Sequence, residues 1–112
     1  MGIVGISRIF SITNTGTATF SDPTKTTFVK MIAIDHNVGV PIPQDVDVTI
    51  AVTKAIGGGT ASIRETRVSS GSPNQVFFDP IVLEPNDILR FTVSYVSAGN
   101  STTTFFLSGG QG

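Results

Sequence analysis

Asp45-Val46-Asp47-Val48-Thr49-Ile50-Ala51-Val52-Thr53-Lys54 alternates with a period of two and puts Val46, Val48, Ile50 and Val52 on one face. Successive side chains of an extended chain point to opposite sides, so this pattern marks a half-buried β-strand. Leu89-Arg90-Phe91-Thr92-Val93-Ser94-Tyr95 repeats the design, with Leu89, Phe91, Val93 and Tyr95 expected inward and Arg90, Thr92 and Ser94 outward. Phe28-Val29-Lys30-Met31-Ile32-Ala33-Ile34 is apolar on both faces. That reads as a central strand covered on each side, or as a strand used in an interface. Its shortness and β-branching argue against a helix.

Outward from these three, weaker strand patterns run over Ile6 to Thr13, Thr17 to Phe20, Ser62 to Val68, Val76 to Phe78 with Ile81 to Leu83, and Thr102 to Leu107, eight or nine strands in all. Turn residues separate them: Asn14-Thr15-Gly16, Ser21-Asp22-Pro23, Gly57-Gly58-Gly59, Gly71-Ser72-Pro73-Asn74 and Ala98-Gly99-Asn100. In Glu84-Pro85-Asn86-Asp87 the proline stands second, which predicts a type I turn. Asn37 to Gln44, with Pro41 and Pro43, is the longest irregular stretch and is expected to cross between sheets or edges. Gly109-Gly110-Gln111-Gly112 is expected to fray. Short strands without intervening helices predict an all-β fold, a two-sheet antiparallel β-sandwich. The strand count favours a jelly-roll-like connection over an immunoglobulin-like one, whose paired cysteines and core tryptophan are missing. The 112 residues suit a single domain, 1–112.

Composition narrows the function. No run reaches the roughly 18 to 20 apolar residues of a membrane-spanning helix, and the first residues lack the basic start and long apolar core of a secretory signal. A soluble chain with no membrane partner is expected. The seven basic residues are scattered among eight acidic ones, whereas phosphate-backbone binding needs a clustered basic surface, so nucleic acid is disfavoured. With no cysteine, disulfides, thiol nucleophiles and zinc-thiolate sites are excluded. Charged residues make up only 13 % of the chain, while Ser and Thr supply roughly a quarter. A surface of hydroxyls rather than charges suits close neighbours.

No residue set carries chemistry. The one histidine, His36, lies beside Asp35 and Asn37 at the end of the apolar strand. Without a nucleophile elbow or further ligands it reads as a structural or solvated strand-end residue rather than a catalytic or metal-binding one. Asp45 with Asp47, and Asp79, Glu84 and Asp87, lack the spaced pattern of a calcium loop and read as a solvated strand face and turn-forming groups. Gly57-Gly58-Gly59-Thr60 has no following lysine and reads as a flexible hairpin tip, not a phosphate cradle. No cofactor and no metal are expected. Asn100-Ser101-Thr102 matches a glycosylation sequon but is assigned no role. The unusual feature is aromatic. Phe77-Phe78 and Phe105-Phe106 are adjacent pairs that place one ring on each side of a strand. One ring of each pair faces inward and the other must be covered by a loop, by an edge or by another subunit, making Phe77, Phe78, Phe105 and Phe106 the candidate interface residues.

The order of Phe28 to Asn37, the Val46 to Val52 strand, and Ile81-Val82-Leu83-Glu84-Pro85-Asn86-Asp87 leading into Leu89 to Tyr95 resembles small β-sandwich structural proteins of tailed bacteriophages, over roughly residues 26 to 96. The resemblance implies a virion role as capsid decoration, cement, or a neck or tail component, in a particle assembled in the host cytoplasm. It implies a homo-oligomer, a trimer by analogy with decoration proteins, bound to major capsid or tail proteins. The chain's end departs from the pattern, since the Gly-rich tail lacks an acidic finish. Independently of the resemblance, the residues point to a non-enzymatic structural or interaction protein. The alternative is a carbohydrate- or receptor-binding β-sandwich module, for which no tryptophan and one tyrosine provide little aromatic platform.

Overall fold

The computed structural model describes residues 2–38, 45–69, 74–95 and 101–112. Among the described residues nine strands follow in chain order: β1 (Val4–Thr13), β2 (Gly16–Phe20), β3 (Thr27–Val38), β4 (Val46–Thr53), β5 (Thr60–Val68), β6 (Asn74–Phe77), β7 (Ile81–Leu83), β8 (Ile88–Tyr95) and β9 (Ser101–Gln111). They form two antiparallel sheets. The first has the order β1-β9-β3-β6, with β7 also paired to β3, and the second the order β2-β8-β4-β5. Taking β6 and β7 together as one interrupted strand, this is jelly-roll connectivity, in which successive strands cross between the sheets except at the β4–β5 hairpin, and the first pairs with the last. The protein is therefore an all-β, two-sheet antiparallel sandwich. Among the described residues no helix is long and apolar enough to cross a membrane.

The period-two faces meet between the sheets. Val46, Val48, Ile50 and Val52 of β4 and Leu89, Phe91 and Val93 of β8 pack against Val29, Ile32 and Ile34 of β3 and Phe105 and Leu107 of β9. At the centre the Phe91 and Phe105 rings stack with centroids 4.6 Å apart, and Phe10 lies 5.4 Å from Phe91. β3 is central, between β9 and the β6/β7 edge, but the described residues cover only its inner face, leaving Phe28, Met31 and Ala33 half-buried on the outside.

Three expectations need correction. The C-terminal segment does not fray: β9 continues to Gln111, flanked on one side by Val4 to Ile6 and on the other by Thr27 to Val29. Gly112 and Thr26 exchange both backbone hydrogen bonds at 3.1 Å, and the Gln111 amide, buried, donates to Asp22 Oδ2 and Thr27 Oγ1. The Glu84–Asp87 turn is type II rather than type I. Asn86 has φ 70° and the Asp87 N–H donates to the Glu84 carbonyl at 3.0 Å; a positive φ at the third position defines that type, and asparagine tolerates it. Asn37 begins no irregular stretch, since β3 runs on to Val38. Pro41 and Pro43, the turns at Gly71-Ser72-Pro73 and Ala98-Gly99-Asn100, and the side chain of Tyr95 lie outside the described residues.

Candidate functional site

The two outer faces of the sandwich differ in kind. On the β2-β8-β4-β5 sheet, Thr17, Thr92, Thr49 and Glu65 lie in one row across the strands and Ser94, Asp47 and Arg67 in another. The Arg67 Nε donates to Asp47 Oδ1 at 3.0 Å, an exposed ion pair that raises the Arg67 pKa. This face is hydroxyl and ionic.

The outer face of the β1-β9-β3-β6 sheet is apolar through its middle. Ile9 stands opposite Phe106, Phe106 opposite Ala33, and Ala33 opposite Val76, forming one row across four strands. Ile9 is 67 % exposed, Val76 50 % and Phe106 37 %. Phe78, one residue beyond β6, is 72 % exposed, and Val82 of β7 is exposed beside Phe28. Ser11 and Thr104, whose hydroxyls lie 3.2 Å apart, border the row on one side. Ser7 and Ser108 border it on the other.

The four expected interface rings separate cleanly in this frame. Phe105 is wholly buried in the core and Phe106 points outward from the next position. Phe77 is half-buried beneath the Arg64 guanidinium, 4.4 Å from its ring centroid, and Arg64 is also paired with Asp79. Phe78 is open to solvent. Phe78 and Phe106 are therefore available for contact, while Phe77 and Phe105 are already occupied. Sequence reading did not single out Ile9, Val76 and Val82. Each is a single apolar residue of outward parity, and the signal appears only when the ladder aligns them with Phe106 and Phe28.

The polar candidates hold structure together. His36 is buried on β3, its Nδ1 3.1 Å from Thr103 Oγ1 of β9. Asp87, expected as a turn-forming group, takes that place and is buried as well. Its carboxylate accepts from the Ala55 and Glu84 backbone N–H groups at 2.9 Å each and from Lys54 Nζ. The Ala55 N–H, then Lys54, hold its pKa below the ordinary carboxylate value, and Asp87 raises that of Lys54. Among the described residues no three His, Asp or Glu side chains gather as a metal-binding group. A groove of about 500 Å³ runs between the β4–β5 hairpin and β7, lined by Val52, Ile63, Pro80, Ile81 and Val82 with Lys54 at its rim. Among the described residues no aromatic side chain lines it.

No protein-family model matches the chain, and no curated protein matches it. Solved structures similar to it include the nucleoplasmin-like N-terminal domain of Drosophila FKBP39, at 10 % identity over 93 % of this chain and 89 % of that one, with a TM-score of 0.45. The Yersinia pseudotuberculosis-derived mitogen is similar at 10 % identity over 91 % and 86 %, with a TM-score of 0.49. The infectious bursal disease virus VP2 subviral particle is similar at 13 % identity over 97 % of this chain, which spans 32 % of the viral chain, with a TM-score of 0.33. Likenesses this distant leave function to be argued from the residues.

Proposed function

We propose that this chain is a non-enzymatic structural protein of a tailed-bacteriophage virion, which self-associates and binds the capsid or tail lattice as decoration and cement proteins do. The observation that carries the structural part is the contrast between the two outer faces. One sheet turns Ile9, Phe106, Val76 and Phe78 to solvent, while the other turns out hydroxyls and the Asp47–Arg67 pair. Contiguous exposed apolar surface is unfavourable in water and marks a contact surface. The low charge content leaves little repulsion against close neighbours.

The virion assignment is supported by the resemblance of residues 26 to 96 and, by analogy of fold, by the use of jelly rolls in viral shells. Phe78 and Phe106 are the rings this reading places in contact with other virion proteins or with further copies of the chain. A carbohydrate-binding role is less favoured, because the groove beside β7 offers apolar aliphatic walls and no stacking ring. Mass spectrometry of virions purified from the host that carries the gene tests the proposal. The chain is expected in fixed ratio to the major capsid or tail protein, and its absence from intact particles would overturn the virion reading.

A further inference from the structure

A sheet edge exposes unpaired N–H and C=O groups, and soluble proteins blunt such edges with short strands, charges, prolines, bulges or cover. Three of the four edges here carry such devices. β2 is five residues long. The β6/β7 edge is split into four- and three-residue strands by Phe78-Asp79-Pro80. β5 carries Arg64, Glu65 and Arg67 and meets β4 through a register shift. It is also covered by β6, whose Gln75 amide donates to the Arg67 carbonyl at 3.0 Å and accepts from the Thr66 hydroxyl at 2.9 Å.

Among the described residues β1 is neither short, split, bulged nor covered, and a single charge is its one device. It runs ten residues, Val4–Thr13, without a register shift against β9, without proline, and with Arg8 as its one charge. The ladder identifies which of its groups are free. The Asn14 N–H donates to the Ser101 carbonyl, and backbone groups alternate sides along an antiparallel strand. The even-numbered residues of β1 therefore bond to β9, while Gly5, Ser7, Ile9, Ser11 and Thr13 direct theirs to the open edge. The Arg8 guanidinium donates to the Ser7 carbonyl at 2.9 Å, as a free edge carbonyl allows.

We propose that β1 is a docking edge for a second copy of this chain, paired antiparallel to its own β1 across a two-fold axis at Ile9. That register uses every free edge residue: Ile9 meets Ile9 of the second copy, Ser7 meets Ser11, and Gly5 meets Thr13. It forms about ten hydrogen bonds, the number a typical protein interface carries. Charge selects it over its neighbour. An axis at Arg8 sets two guanidinium groups directly opposite one another, which is repulsive, whereas an axis at Ile9 sets each Arg8 against Phe10. Arg8 already lies 6.0 Å from the Phe20 ring centroid, so a second aromatic partner suits it. The apolar row Val76, Ala33, Phe106 and Ile9 then continues through Ile9 into the same row of the second copy. The two open five-stranded sheets become one continuous sheet, an isologous contact with two-fold rather than three-fold symmetry.

This contact rests on the strand edge and not on virion membership, so the two proposals fail separately. The chain has no cysteine, so single substitutions report proximity. Ile9→Cys places two thiols on a hydrogen-bonded pair whose Cα atoms lie about 5.5 Å apart, inside the span of roughly 4.4 to 6.8 Å that a disulfide bridges. Under mild oxidant Ile9→Cys is expected to convert to a covalent dimer, while Thr49→Cys on the opposite sheet and Phe78→Cys at the far edge remain single chains. Ile9→Pro removes one edge N–H but no bond to β9. It is expected to halve the mass seen by light scattering while keeping a cooperative melt. Cross-linking of Ile9→Cys no faster than Thr49→Cys overturns the proposal. If Phe78→Cys cross-links instead, self-association stands but lies on the sheet face. A parent chain that is monomeric at every concentration also overturns the edge contact, leaving lattice binding to the virion experiment.

Discussion

Asp87 ties the end of β4 to the turn before β8 through one carboxylate. Its oxygens receive the Ala55 N–H after β4, the Glu84 N–H at the start of the type II turn, and the Lys54 ammonium. Together these donors stabilise the ionised form and hold the pKa below the ordinary value of 3.8, the Ala55 N–H most strongly. Asp22 is shifted the same way, mainly by the Thr24 and Lys25 N–H groups. A carboxyl whose folded pKa lies below its unfolded one contributes stability that is complete above the unfolded value and lost as pH falls through the folded value. The melting midpoint is therefore expected to hold down to about pH 4 and to fall below it. Asp87→Asn should start from a lower midpoint at neutral pH and show a shallower acid limb, with Asp22 supplying the slope that remains. Thermal melts from pH 7 to pH 2 read this directly, and acid limbs that superpose would locate the acid-labile group elsewhere.

At the scale of the element, β9 is the least conventional strand and the one that joins the molecule's first sheet. It can lie close between β1 and β3 because Gly109 has no side chain: a Cβ there would fall 1.9 Å from the Phe28 carbonyl oxygen, next to the register shift of β3 between Val29 and Met31. Backbone must move to admit it, and overpacking of this kind costs about 1 to 3 kcal/mol or more. Gly109→Ala is expected to lower the melting midpoint by roughly 5 to 20 °C. Gly5→Ala on the neighbouring strand, where the nearest atom is 3.9 Å away, should change it little; equal effects would contradict the close-approach argument. The same strand marks where sequence reading stopped. Alternation made β4 and β8 legible because Val48, Ile50, Phe91 and Val93 each report a face. Ser108 to Gly112 has almost no side chains on which a pattern could be written, and its strand character comes from Thr26 to Val29 and Val4 to Ile6, distant in sequence. The turn at Glu84 to Asp87 was legible in place but not in type, because Pro85 fits both types and the choice falls to the left-handed Asn86. The candidate surface was half legible: adjacent phenylalanines announce an outward ring, but which one, and beside which neighbours, is set by register.

At the scale of the whole molecule, jelly-roll connectivity makes the sandwich two-faced, because each sheet takes its strands from both ends of the chain and presents one outer surface of its own. The apolar row draws Ile9, Ala33, Val76 and Phe106 from four separate strands, so it forms only when the sheet does. Phe105 and Phe106 then become a test of the surface with its own internal control. Phe105 is fully buried and stacked on Phe91, so Phe105→Ser removes core packing and is expected to cost about 3 to 5 kcal/mol, as large-to-small aromatic changes do. Against a total stability of about 5 to 15 kcal/mol that threatens the fold itself. Phe106→Ser removes a ring that is 37 % exposed and should lower the melt far less than Phe105→Ser. Covering a fully exposed Phe is worth roughly 1.5 to 3 kcal/mol, so covering the exposed third of this one is worth about 0.5 to 1 kcal/mol. Its loss should therefore weaken association through this face by about two- to sixfold per ring, since each 1.4 kcal/mol is a factor of ten. Thr49→Lys, on the ionic face, should alter neither quantity. Sedimentation equilibrium over a concentration series, paired with thermal melts of the three variants, separates the outcomes. If Thr49→Lys weakens association as much as Phe106→Ser does, the contact surface is not the apolar sheet. If Phe106→Ser unfolds as readily as Phe105→Ser, the ring belongs to the core, and the two-faced description of the molecule fails with it.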